Sequence, residues 1–143
     1  MIDQFRGKYY FLSNFYSSPV YYRGMTFQNA EAAFHSQKDP SRATEFTRLN
    51  PSEAKRFGRR VHLRHDWEEV KDDIMFEVVL AKFSGSQSLA DALLSTGDEK
   101  LIEGNTWNDH YWGVCDGKGL NKLGSILERV LDNLRMLRKD SKN

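Results

Sequence analysis

The chain has 143 residues, of which 39% are hydrophobic, 29% charged and 13% aromatic, and its formal net charge is +1. That length and balance suit one domain with one core and exclude an intrinsically disordered chain. The near-neutral charge says nothing about a polyanionic partner; only local clustering of bases could.

In chain order, Tyr9-Tyr10-Phe11-Leu12 is short, aromatic and strand-like, and Ser13 to Pro19 reads as a loop. Asn14 lies between aromatics there, where it either holds a turn or faces a ligand. Val20 to Phe27 predicts a hairpin that turns at Arg23-Gly24. Phe27 to Lys38 contains no Pro or Gly and predicts a helix, with Thr26 or Asn29 as its cap. On a helical wheel Glu31 and Lys38 fall within about 40° of Phe27, inside the apolar stripe, and are separated by a rise of roughly 10 Å. An ion pair on a helix surface needs closer spacing. The two groups therefore either reach toward one small molecule or sit in water at the edge of the stripe.

Arg42 to Leu49 predicts a short helix. Asn50-Pro51 starts another, with Asn as N-cap and Pro at N1, and Gly58 ends it. Lys55, Arg56, Arg59, Arg60, His62, Arg64 and His65 make the one strong basic cluster, which is either a solvated face or a surface for phosphate or nucleic acid. Asp66 to Glu69 predicts a capping box for a helix whose inner face carries Val70, Ile74, Met75, Val78, Ala81 and Lys82. Trp67 in its first turn either staples the helix to the core or stacks on a flat ring.

Ser88 is expected to cap a short helix through Leu94, and Leu101 to Gly104, with Glu103, reads as a strand. Thr106 to Gly119 is a long loop of aromatics, an amide, acids and glycines, the kind of loop that often carries function. Asn121 either caps the last helix or donates to a ligand. Leu123, Ile126, Leu127, Val130, Leu134 and Leu137 form that helix's apolar stripe. Lys139 to Asn143 reads as a frayed tail.

Nucleotide-binding and catalytic signatures such as GxGxxG, the P-loop, G-x-S-x-G and H-E-x-x-H are absent. The four histidines lack zinc spacing, so neither a metal nor a cofactor is expected. The lone Cys115 cannot form an intramolecular disulfide, and no signal-like segment or long apolar run stands out. A cytoplasmic setting without a membrane partner is expected. The remaining lysine, acids, tryptophans and glycine loops suit a sugar or nucleotide ligand.

A set of short motifs then runs in order along nearly the whole chain: Phe11-Leu12-Ser13-Asn14-Phe15, Glu31 with Gln37-Lys38, Gly58-Arg59, and Leu63-Arg64-His65-Asp66-Trp67. Lys71 with Met75, Lys82-Phe83, Leu93 to Gly97, Glu103, Asn108-Asp109, Tyr111-Trp112-Gly113 and Gly119 to Gly124 complete it. In this pattern the chain resembles the NADAR family, also called YbiA-like. The resemblance implies an α+β fold, a single and mainly helical NADAR-like domain over residues 1–138 with a small N-terminal antiparallel strand region. It also implies N-glycosidase activity on phosphorylated ribosides.

Members of that family are linked to early riboflavin-pathway intermediates, and others to removal of ADP-ribose from guanine in nucleic acid. Asp39, where an aromatic is common, and Val114-Cys115, in a shorter loop, depart from the pattern and bear on substrate choice. The expected catalytic residues are Lys38 as Schiff-base nucleophile and Glu31 or Glu103 as acid and base. Direct hydrolysis by the two carboxylates is the alternative chemistry. The expected substrate-binding residues are Asn14, Arg59, Arg64, Trp67, Asn108, Asp109, Trp112, Gly113 and Asn121. The expected ligand is an ADP-ribosyl group on a nucleobase, with ADP-ribosylated nucleic acid as partner. The competing readings are a phosphorylated aminopyrimidine riboside and a module that binds NAD or ADP-ribose without cleaving it.

Overall fold

The computed structural model describes residues 1–141. The fold is α+β and mainly helical, with a two-stranded antiparallel sheet near the N-terminus. Two compact units emerge, one of residues 14–85 and one of residues 1–13 together with residue 86 onward.

In the 14–85 unit, β1 (Ser17–Tyr22) pairs with β2 (Met25–Asn29), Val20 opposite Phe27. The turn between them is the expected Arg23-Gly24, at φ 49° and 80°. Positive φ at both positions gives a twist that matches the flanking strands. The predicted start of the next helix at Phe27 is corrected. Met25 to Asn29 alternates exposed and buried residues, the two-residue period of a strand, and Asn29 is the true boundary. Its side chain accepts the Ala32 N–H at 2.7 Å and caps α1 (Ala30–Ser36).

Helix α1 is the centre of this unit. It contacts β1, β2, the 3-10 helix Pro40–Arg48, α2 (Pro51–Gly58) and α3 (Trp67–Ser84). Residues 32–37 are all buried, whereas Glu31 and Lys38 on either side are not. The apolar stripe of the wheel is thus replaced by a helix packed all round, open only at those two positions. Lys38 lies beyond the C-cap Gln37, in a turn where its N–H reaches the His35 carbonyl at 3.1 Å.

Helix α2 has the expected Asn50 cap and Pro at N1, completed by Glu53 as a capping box. The box expected at Asp66 is absent, because Arg64 engages the Asp66 carboxylate. Helix α3 buries Ile74, Met75, Val78, Val79, Lys82 and Phe83, while Val70 and Ala81 are only partly covered.

In the other unit, residues 9–12 are not a strand. They lie in a 3-10 helix (Gly7–Leu12), entered through Gly7 at φ 58°. Only Leu12 of that helix is buried, so the aromatic run has no alternating face to give a sheet. Leu101 to Gly104 forms only isolated bridges, Ile2 with Leu101 and Gly104 with Val114. Helix α4 (Gln87–Leu94) is capped by Ser86, two residues before the expected Ser88. It contacts α5 (Lys122–Ser141), whose Leu123, Ile126, Leu127, Val130 and Leu134 are buried. Leu137 is corrected to the surface, 59% exposed. The tail expected from Lys139 is helical as far as Ser141, and residues 142 and 143 lie outside the described residues. Among the described residues no helix is long and apolar enough to cross a membrane.

Candidate active site

The open end of α1 gathers charge. Glu31 and Lys38 are close enough for the carboxylate to favour the ammonium form of Lys38. Burial acts against that form and is the larger effect, and the cations of Arg59 and Lys71 add to it. The net result holds the Lys38 amine below the usual lysine range, which raises the fraction of free amine. Beside it stands Trp67, whose ring lies 5.7 Å from Lys38 Nζ and 5.1 Å from the Phe34 ring. Trp67 is only 7% exposed, so it bounds the lysine rather than offering an open stacking face.

The backbone of Lys38 is fixed from outside. Its carbonyl accepts the Arg64 N–H at 2.8 Å. The Arg64 guanidinium grips Asp66 with both Nε (2.6 Å) and Nη2 (3.1 Å), and this bond holds the Asp66 carboxyl below the usual range. Arg64 is thus a clamp at the end of α1. Arg56, Arg59 and Arg60, by contrast, are exposed and pair with no carboxylate among the described residues. Of the two arginines read as phosphate ligands, Arg59 is the one whose guanidinium is available.

Asn14 lies in the same unit. Its carbonyl accepts the Glu31 N–H at 3.1 Å, which sets it against the start of α1. Its Nδ2 reaches the Met75 sulfur at 3.3 Å, and its Oδ1 is buried without a hydrogen-bond partner. A buried acceptor left unmatched is costly and suits a donor on a ligand. His35 and Lys71 also belong here and were missed. His35 stands one helical turn beyond Glu31, a spacing legible in the sequence. Lys71 pairs with Glu68 on α3.

The other unit assembles the remaining candidates into a self-bonded loop. Asn105 Nδ2 donates to the Asp109 carbonyl at 2.9 Å, and Asn105 Oδ1 accepts the Asp109 N–H at 3.0 Å. Asp109 Oδ1 accepts the N–H groups of Tyr111 and Trp112. Tyr111 and Trp112 meet edge to face at 4.8 Å. At Gly113 a side chain would collide with the Glu103 carbonyl. Asn108 is exposed, in a left-handed conformation at φ 67°.

Asn121 neither caps α5 nor stands open to a ligand. It is buried, its Oδ1 accepts the Glu103 N–H at 3.0 Å, and its Nδ2 donates to the Leu101 carbonyl at 2.9 Å. Asp109, Gly113 and Asn121 thereby shape the backbone around Glu103. Asn105→Ala is expected to cost roughly 2–3 kcal/mol in urea unfolding, because buried loop groups lose their partners. A loss below about 0.5 kcal/mol would show that the loop does not depend on this side chain.

A groove of about 300 Å³ in this unit, among Asp3, Gln4, Arg6, Gly104, Asn105 and Gly117, is lined by none of the expected site residues. Among the described residues no three His, Cys, Asp or Glu side chains gather as metal ligands.

The N-glycosidase YbiA of Escherichia coli (strain K12) is 38% identical over 128 residues, covering 85% of this chain and 79% of that protein. The riboflavin biosynthesis protein VVA0006 of Vibrio vulnificus is 34% identical over 131 residues, covering 87% of this chain and 35% of that protein. The NMR structure of E. coli YbiA superposes with a TM-score of 0.82 at 36% identity, covering 96% of this chain and 89% of that one. Residues 3–135 match the NADAR domain, and the chain belongs to that family.

Proposed function

We propose that this protein is an N-glycosidase that removes ADP-ribose from a modified nucleobase, guanine in nucleic acid, through an imine on Lys38. The activity class is that of the named relatives, N-glycosidase YbiA among them. The observation that carries the substrate reading is the exposed, unpaired basic face of Arg56, Arg59 and Arg60, which borders Lys38 through Arg59. A diphosphate and a nucleic-acid backbone are both ligands for such a face.

In the reaction, opening of the ribose ring leaves C1 as an imine to the base nitrogen. The free amine of Lys38 adds to C1, and the C1–N bond to the base breaks as Glu31 returns a proton to the leaving nitrogen. Water then adds to the Lys38 imine and releases the sugar and the lysine. Asn14 Oδ1 would accept from a ligand hydroxyl or amine.

A second reading, a phosphorylated aminopyrimidine riboside as substrate, is favoured by the riboflavin biosynthesis name of the Vibrio relative. Both substrates should be assayed side by side on purified protein. Release of ADP-ribose from modified DNA supports the first reading, and cleavage of the aminopyrimidine riboside alone supports the second. Binding of ADP-ribose with neither cleavage would make the protein a binding module.

Arg59→Ala is expected to weaken substrate binding by roughly tenfold at low salt, with the loss shrinking as salt rises. Its removal also takes away a cation that depresses Lys38, so the rising limb of the pH–rate curve should move to higher pH. Unchanged binding at every salt concentration would return the basic face to a solvated surface.

A further inference from the structure

Helix α1 carries a second titratable group at its open side. His35 Nε2 lies 3.3 Å from Glu31 Oε1, with side chains 10% and 14% exposed. The other ring nitrogen, Nδ1, is buried without a hydrogen-bond partner. It faces Gly58 at the end of α2, where a Cβ would stand 2.7 Å from Nδ1 and 3.1 Å from Cγ. The ring is thus held between a carboxylate and a glycine that leaves it just enough room.

These contacts select a tautomer. A proton on Nδ1 would be a buried donor with no acceptor, and Nε2 would then turn its lone pair on the Glu31 carboxylate. A proton on Nε2 has the Glu31 carboxylate oxygen 3.3 Å away and leaves only a lone pair against Gly58. We propose, resting on the N-glycosidase reading, that His35 is a positioning residue that donates Nε2–H to Glu31 Oε1. This fixes the Glu31 rotamer and presents Oε2 to the bond between sugar and base. Gly58 is the other half of the device, because any side chain there pushes the ring off its register.

The tautomer is read without substrate from a two-bond 15N–1H correlation spectrum of the full chain. A protonated Nε2 with a bare Nδ1 is expected, and a proton on Nδ1 would overturn the proposal. Kinetics tests the consequence. His35→Leu keeps the bulk but has no donor, and kcat should fall roughly 10- to 100-fold with KM changed little. His35→Gln returns an N–H and should restore most of that loss. Gly58→Ala should lower kcat as His35→Leu does, which keeps the test available if the leucine variant fails to fold. Equal losses in His35→Leu and His35→Gln would mean a packing role only, and unchanged kcat in His35→Leu and Gly58→Ala would remove the role altogether. If the wild type cleaves no N-riboside, the functional reading fails, while the spectrum still decides the His35–Glu31 bond.

Discussion

Lys38→Arg is expected to lower turnover by on the order of 10⁴ while the protein stays folded. Arginine keeps a cation beside the Trp67 ring and a long apolar stem over the same surface, so thermal stability should change little. It cannot supply a free amine at any working pH, so no imine can form. The wild type should show the complementary pH behaviour. Burial holds the Lys38 amine below its usual range, so the rate should climb with pH and reach half its maximum below 10.5. An Arg variant with near-normal turnover would move the nucleophile elsewhere. Lys82 would be a poor replacement, since it is 1% exposed on α3 with its ammonium among the Tyr16 and Phe83 rings.

Glu31→Gln should lower turnover by roughly 10² to 10⁴, the range for a missing acid–base group, with ligand binding largely kept. The amide oxygen can still accept from His35, so the geometry survives while the proton carrier is gone. A second effect has a fixed sign. The Glu31 carboxylate favours the Lys38 ammonium, so its loss should depress Lys38 further and shift the residual activity to lower pH. Wild-type turnover in Glu31→Gln would leave Glu103 as the acid–base group, and fluorescence or calorimetric titration with ADP-ribose separates lost chemistry from lost binding.

The features readable in the sequence were local ones. The Asn50 cap with Pro51 at N1 and the Arg23-Gly24 turn each depend on residues within four positions, and both formed as expected. Asp66 failed the same logic because Arg64, two residues earlier, took its carboxylate. Phe27 lies in line with Phe34 on a helical wheel, yet Met25 to Asn29 carries the two-residue period of a strand.

The pairing of Glu31 with Lys38 was legible, but for a reason that changed. The two do not share an apolar stripe. They are the two less buried positions on either side of the buried run 32–37, and that becomes visible only when five other elements pack around α1. Arg59 and Arg64 looked alike in a basic tract, and the bond from Arg64 to Asp66, two residues on, separates the clamped guanidinium from the available one. In the stretch Asn108 to Gly113, the bonds from Asp109 to the Tyr111 and Trp112 N–H groups and the close approach of Gly113 to the Glu103 carbonyl are contacts that spacing alone does not reveal.

The most direct test of the account is to trap the intermediate. Borohydride added while the wild type turns over substrate should reduce the imine to a stable secondary amine. Mass spectrometry of the digested protein is then expected to find the ribosyl adduct on the peptide that holds Lys38, and none in Lys38→Arg. An adduct on Lys71 or Lys82, or undiminished turnover without any adduct, would contradict a Lys38 imine.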